Sequence, residues 1–310
     1  MNFAIVALHI PDGFLSLRVS ILCWLIAIPV LAIAIARTND GLGERQVPLM
    51  GVMAAFIFAA QMLNFPVAGG TSGHLVGATL AAILLGPWPA MIIMTAVIAV
   101  QALLFQDGGL LAMGANLLNM GILGVAIGYG VSRIASHGSR RARLFAAGGA
   151  AWLSVVAGAV ATALELWLSG TVRLEIVMPA MAGVHALIGL GEALITVGAL
   201  TLVSATRPDL LKRGGEARGA GRGWTFIAGL LSLTAILLAP AASIDPDGLS
   251  RVAEDLGFAE AAVSRYAPFS GYDVPGLSWG AWGRVAAGVL GVAAAVSLVI
   301  VATQTRRRKS

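Results

Sequence analysis

The chain has 310 residues, of which 58% are hydrophobic and only 11% charged, and its mean hydropathy is +0.88. A soluble domain carries about a quarter charged residues, so this balance excludes one and predicts an all-α polytopic membrane protein. The net charge of +5 is gathered in short loops and a tail, and the single cysteine, Cys23, excludes a disulfide framework or a cysteine-built zinc site.

Residues 1–8 are apolar but too short for a signal peptide, with no basic n-region and no full-length h-region. The next stretch, Leu8-His9-Ile10-Pro11-Asp12-Gly13-Phe14-Leu15-Ser16, holds one of only four histidines. It ends where the first long apolar run begins, which sets it at the membrane boundary. Nine apolar segments follow, at roughly 16–36, 47–63, 74–86, 88–105, 115–136, 144–169, 177–204, 224–242 and 281–303. A spanning helix needs ~20 apolar residues. The 74–86 segment is shorter, and Gly86-Pro87-Trp88-Pro89 parts it from its neighbour. That pattern predicts a short span buried in protein or a re-entrant element, since irregular backbone at membrane depth is tolerated only inside protein or beside a cavity.

A polar, glycine-rich linker divides the chain into a membrane unit over 1–206, the linker at 207–223 and a second unit over 224–310. The expected architecture is a bundle of about seven helices, then a two-helix unit whose loop, about 243–279, rests on the bundle's outer face. The cations Arg133, Arg140, Arg141 and Arg143, then Lys212, Arg213, Arg218 and Arg222, then the tail Arg306-Arg307-Arg308-Lys309 mark the cytoplasmic side. Arg37 and Arg45 fall there as well. This pattern reports orientation and argues against a nucleic-acid partner. With nine crossings the N-terminus lies outside and the C-terminus in the cytoplasm. The His9 stretch and the glycine-rich break Gly69-Gly70-Thr71-Ser72-Gly73-His74-Leu75 then face the same outer side.

Imidazole is the commonest metal ligand, and four nitrogens in a plane suit Ni(II) or Cu(II). The two outer breaks are therefore expected to meet and bind a transition-metal ion. If His9 were the second residue of the mature chain, the free amine, the His9 amide and the His9 side chain would give three nitrogens, with His74 the fourth. Pro11 then turns the chain away, and Asp12-Gly13 gives a tight bend. His137, in a basic inner loop, reads as solvated. His185 and Glu192, two turns apart on one helix, read as an internal polar network. Gln101, Asn116 and Asn119 read as buried braces, Asn64 as a residue steadying a ligand, and Cys23 as a packed or lipid-facing residue. Small residues in the first and sixth helices, such as Ala147-Gly148-Gly149-Ala150-Ala151, read as close helix packing. No Walker A sequence occurs, so ATP hydrolysis by a P-loop is excluded.

His9-Ile-Pro-Asp-Gly-Phe-Leu-Ser resembles the start of the substrate-binding M component of nickel/cobalt energy-coupling factor (ECF) transporters. Gly70-Thr-Ser-Gly-His74-Leu-Val-Gly, Phe105-Gln-Asp-Gly-Gly-Leu, Gly114-Ala-Asn-Leu-Leu-Asn119-Met and His185-Ala-Leu-Ile-Gly-Leu-Gly-Glu192 look like its other signatures. The tail, with Pro246-Asp-Gly-Leu249 and Ala267-Pro-Phe…Tyr272, resembles the small N component, or PDGLE domain, with Ser250 where that motif has glutamate. The resemblance implies a fused MN protein of the bacterial plasma membrane that takes up Ni2+ or Co2+, its wording closer to the nickel branch. It implies a metal site made of the Leu8 amine, His9 and His74. It also implies partners: a transmembrane coupling subunit and cytoplasmic ATPases. Seven residues precede Leu8, which is expected to be a start codon other than ATG, read as methionine. Two other functions fit the residues less well. An intramembrane metalloenzyme with Glu192 as base is disfavoured by the lack of HExxH and by the open coordination position that a metal-activated water needs, which a filled four-nitrogen plane lacks. A proton-coupled carrier is disfavoured by the lack of internal repeats with paired broken helices.

Overall fold

The computed structural model of the chain describes residues 9–41, 46–135, 138–211, 222–263, 268–272, 274 and 281–304. Each of the nine apolar segments contains a helix, and the local chemistry explains where several of them start. Helix α1 (Leu17–Gly41) follows Ser16, whose Oγ accepts from the Val19 amide at 3.4 Å. Helices α2 (Val47–Gln61) and α4 (Pro87–Val100) each open with proline in the first turn, where its missing N–H would have had no intrahelical partner. Between them lie a short antiparallel hairpin, β1 (Phe65–Val67) and β2 (Thr71–Gly73), and the eight-residue helix α3 (Ala78–Leu85). A π-helical turn, Gln101–Phe105, ends α4. Another, Leu117–Leu123, joins α5 (Met113–Asn116) to α6 (Gly124–Ile134).

Helix α7 (Arg140–Leu168) is capped by Ser139, whose Oγ accepts from the Ala142 amide at 3.3 Å. Helix α8 (Leu174–Thr206) returns beside it, and α9 (Arg222–Leu238), α10 (Gly248–Asp255) and α11 (Ala281–Gln304) complete the chain. The small residues of α7 serve this pairing: Ala147, Ala150 and Ala151 are buried, and Gly148 lies under Val197. Both α9 and α11 pack on α2.

The nine expected segments differ in length. Among the described residues, six helical segments are long and apolar enough to cross a membrane: Leu17–Asp40, Pro87–Phe105, Met113–Ile134, Arg140–Leu168, Leu174–Thr206 and Ala281–Gln304. Helix α2 and the segment Phe226–Ala241 are shorter. Helix α3, at 1.5 Å per residue, reaches only about 12 Å, less than half of a ~30 Å hydrocarbon core. It survives because protein surrounds it: Ala78, Thr79, Leu80, Ala81 and Ala82 are all buried, against α4, α6 and α7.

Helix α4 is the axis of the bundle. In its apolar stretch 72% of residues are buried, against 28% in α1 and α11, which therefore form the periphery. Leu17, Ile21, Leu25 and Ile28 of α1 are exposed, as a lipid-facing stripe requires. The main core joins Met50, Phe58, Ile93, Met94, Ile98 and Phe105. A second cluster sits at one end and ties the chain's beginning to its late segment. There Ile10 and Phe14 pack with Leu166, Met181, Leu249, Val252 and Phe258. The Phe14 and Phe258 rings meet edge-on at 5.1 Å, and each such side chain contributes about 1.5–3 kcal/mol when fully buried.

Candidate metal centre

All the loops that matter gather at that end. The His9 stretch is laid along the segment after α4 by reciprocal amide pairing. The Ile10 N–H donates to Asn116 Oδ1 at 3.0 Å, and Asn116 Nδ2 donates back to the Ile10 carbonyl at 3.1 Å. Gly109 N–H donates to that same carbonyl at 2.9 Å. Asp12 Oδ1 accepts from the Leu111 and Ala112 amides at 2.8 and 3.1 Å. These bonds satisfy backbone groups that no helix or strand would otherwise use, and they fix where His9 stands. Gly108 permits the fit. Its φ is +99°, and a Cβ there would sit 3.0 Å from the His9 Cβ.

His9 is 2% exposed, and its Nδ1 donates to Asp107 Oδ1 at 3.0 Å. With hydrogen on Nδ1, the lone pair lies on Nε2, which is buried and has no hydrogen-bond partner among the described residues. Asp107 is buried, and Tyr272 donates its hydroxyl to Oδ2 at 2.6 Å. Burial pushes the Asp107 carboxyl up, but the His9 charge, the hydrogen bonds from His9 and Tyr272 and the His74 charge outweigh it and hold the group below its ordinary value. Asp107 is thus a carboxylate that orients an imidazole, the arrangement that backs metal-ligating histidines generally.

His74 emerges from the β1–β2 hairpin. Its Nδ1 lies 3.0 Å from the Leu75 carbonyl, and its ring centroid is 5.8 Å from that of His9, tilted by 52°. Two anchors hold this loop. Ser72 donates its N–H to the Pro246 carbonyl and its hydroxyl to the Asp245 carbonyl, both at 2.8 Å. Glu192, from the middle of α8, accepts from the Val76 and Gly77 amides at 2.6 and 2.9 Å.

The two rings border a cavity of about 90 Å³, whose walls include His185, Asn119, Thr162 and Asp247. Organic ligand pockets run from ~300 Å³ upward, so this space suits an ion and not an organic solute of that size. Among the described residues no set of three or more His, Cys, Asp or Glu is arranged to hold a metal. The histidine pair therefore needs donors of another kind. Leu8, the expected amine donor, lies outside the described residues, as does His137.

The other expected site residues fall into place unevenly. Asn116 and Asn119 are buried beside the histidines, and Gln101 pairs with Gln61 at 2.8 Å. His185 lines the cavity while its Nδ1 bonds to the Met181 carbonyl at 2.9 Å, and Glu192 caps the His74 loop. Cys23 is packed, its Sγ 3.6 Å from Glu165. Asn64 does not reach the cavity wall; its carbonyl instead accepts from the Ser243 amide at 2.8 Å. The expected amide-plus-imidazole chelate of His9 also meets an obstacle. Only Nδ1 is close enough to the residue's own amide to close such a ring, and Nδ1 is engaged by Asp107. The chelate needs the imidazole to turn.

Sequence reasoning missed Asp107 as the partner of His9, although it stands in a glycine-containing break between apolar segments, as His74 does. Tyr272 stands in the stretch that resembles the N component, but gave no local signal of its bond to Asp107. The left-handed backbone of Gln106 and Tyr272, at φ of 59° and 58°, gave none either. A non-glycine residue so placed costs on the order of 1–3 kcal/mol and persists only where its surroundings over-determine it.

An all-α membrane bundle with a buried imidazole pair at one end defines a membrane protein that handles a transition metal. Residues 9–210 match the family described as the cobalt uptake substrate-specific transmembrane region, CbiM, and the chain belongs to that family. It is 35% identical over 303 residues to a putative fused nickel transport protein, NikMN, of Archaeoglobus fulgidus, covering 97% of this chain and 99% of that one. It is 43% identical over 206 residues to a putative metal transport protein of Haloquadratum walsbyi, covering 66% and 93%. A crystal structure titled as a truncated transition metal transporter superposes with a TM-score of 0.59 at 35% identity, covering 64% of this chain and 99% of that one. The chain is a fused M–N metal transport protein and not an enzyme.

Proposed function

We propose that the chain is the substrate-binding membrane subunit of an ATP-driven ECF-type importer for Ni2+ or Co2+. The observation that carries this reading is the pair of buried imidazoles, 5.8 Å apart, bordering one ion-sized cavity. The metal is captured from the outer face by nitrogen donors, with the terminal amine at Leu8 and the His9 amide joining His9 and His74. In the geometry described, the His9 Nε2 lone pair is the donor on offer; turning the ring would bring Nδ1 to the amide chelate instead. The fused nickel transport name of the relative spanning almost the whole chain favours nickel. The 1–206 portion is the metal-binding unit, 207–223 a cytoplasmic linker and 224–310 the N-type unit. The arginines at the opposite end of the bundle support an outward N-terminus and a cytoplasmic C-terminus in a bacterial plasma membrane.

The chain has no nucleotide site of the P-loop kind, so energy must come from a transmembrane coupling subunit and cytoplasmic ATPases. Radioactive nickel uptake into cells tests this. Uptake should require coexpressed coupling and ATPase subunits and cease when the ATPase is inactivated. Uptake by this chain alone, indifferent to ATP hydrolysis, would overturn the importer reading.

A further inference from the structure

The segment around Phe269–Tyr272, just ahead of α11, docks on the loop that follows α4. Phe269 N–H donates to the Leu104 carbonyl at 2.9 Å, and Ser270 donates its hydroxyl to Gln106 Oε1 at 3.0 Å. The Tyr272 ring stacks on Phe105, with centroids 4.7 Å apart and planes 11° apart. This docking delivers the phenol hydroxyl to Asp107 Oδ2, across 165 residues of sequence, while the other oxygen of that carboxylate holds His9 Nδ1. Among the described residues, Gln106 and Tyr272 are the two non-glycine residues in the left-handed region. One directly precedes Asp107 and the other bonds to it. Strained backbone of this kind, concentrated on one carboxylate, marks a group whose direction the fold takes trouble to set.

We propose that Tyr272 is a positioning residue for His9, acting through Asp107, so that the C-terminal unit sets which nitrogen and which orientation the imidazole presents to the metal. The inference rests on the reading of His9 and His74 as metal donors. The phenol and His9 each occupy one oxygen of Asp107. Without the phenol, the carboxylate loses the bond that the C-terminal unit makes to Oδ2, and it can turn and take the imidazole with it.

Tyr272→Phe keeps the ring and its stack and removes only the hydroxyl. The full-length chain and this variant are titrated with Ni2+ alone against a chromogenic chelator, and the visible absorption of the nickel-loaded forms is recorded. The expected result is an affinity lower by roughly 10–100-fold, as for other groups that orient metal ligands, with a displaced absorption band in a chain that still folds. In an Asp107→Ala background the same hydroxyl removal should alter affinity by less than about twofold, because effects that travel through a shared partner do not add. Equal affinity and spectrum in wild type and Tyr272→Phe would overturn the inference while leaving the metal site standing. A full additional loss in the Asp107→Ala background would also overturn it, by showing that the hydroxyl acts by another route. Should Asp107→Ala fail to fold, the single variant's affinity and spectrum decide. A wild-type chain that binds no nickel removes the metal-capture reading itself, and this inference with it.

Discussion

At the end of the bundle that carries His9 and His74, loops hydrogen-bond to segments far away in sequence. Asp12 accepts from Leu111 and Ala112 and offers its carbonyl to Val263 at 2.7 Å, Thr171 donates to the Phe14 carbonyl at 2.6 Å, and Ser72 reaches Pro246. At the opposite end the described loops bond mostly to near neighbours: Gly138 to Ala135, Arg133 to Tyr129, Leu210 to Arg207. The exposed Arg140–Ser204 bond at 2.7 Å is a longer-range exception. The difference teaches where precision is needed. A metal donor set must be held within about half an ångström, and only non-local bonds can hold several loops to one another. The arginine-rich end needs charge more than fixed geometry.

Three measurements break or sharpen this contrast. Groups that merely orient ligands are worth roughly 10–100-fold in metal affinity, so His9→Ala or His74→Ala should cost more than that in a nickel titration. Arg140→Ala, at the other end, should leave affinity unchanged. A loss for Arg140→Ala comparable to that for His74→Ala would erase the distinction between the ends. The Tyr272→Phe variant comes next in size, as set out above.

The smallest effect concerns Asp247, which caps α10 by accepting from the Ser250 amide at 2.7 Å and lies against the cavity. Burial pushes its carboxyl up from 3.8 to about 6. A carboxyl whose folded value is raised favours the folded state in its protonated form. Its contribution is therefore complete below about pH 4 and is lost as pH rises through about 6. Asp247→Asn keeps an acceptor for Ser250 and should remove this dependence. The thermal midpoint of wild type should fall relative to the variant across that window, where ~1 kcal/mol corresponds to about 2–4 °C. A wild-type chain that instead gains stability above pH 6 would contradict the sign.

Much of the helical framework was legible because hydrophobicity is local. Nine apolar segments and the glycine-proline breaks between them sufficed to place the longer helices, though not α10, and the His9 and His74 breaks stood out as polar islands beside them. What sequence could not supply was pairing at a distance. Asp107 meets His9 across 98 residues and Tyr272 meets Asp107 across 165, and no periodicity reports such contacts. The Asn64 carbonyl shows the same limit: Asn64 stays at the open end of the β1–β2 hairpin, where Phe65 pairs with Gly73, yet its carbonyl partner is the distant Ser243 amide. The short reach of α3 was legible from the Gly86-Pro87 break that closes its segment; which elements wrap it, α4, α6 and α7, was not.

Native mass spectrometry of the chain, purified from its own gene in its own host, tests the central claim most directly, because it reports the N-terminus and the bound metal together. The expected result is a chain beginning with methionine at position 8, carrying a single nickel ion that is lost on His74→Ala. A chain that retains residues 1–7 and still holds its nickel would contradict the amine-donor site.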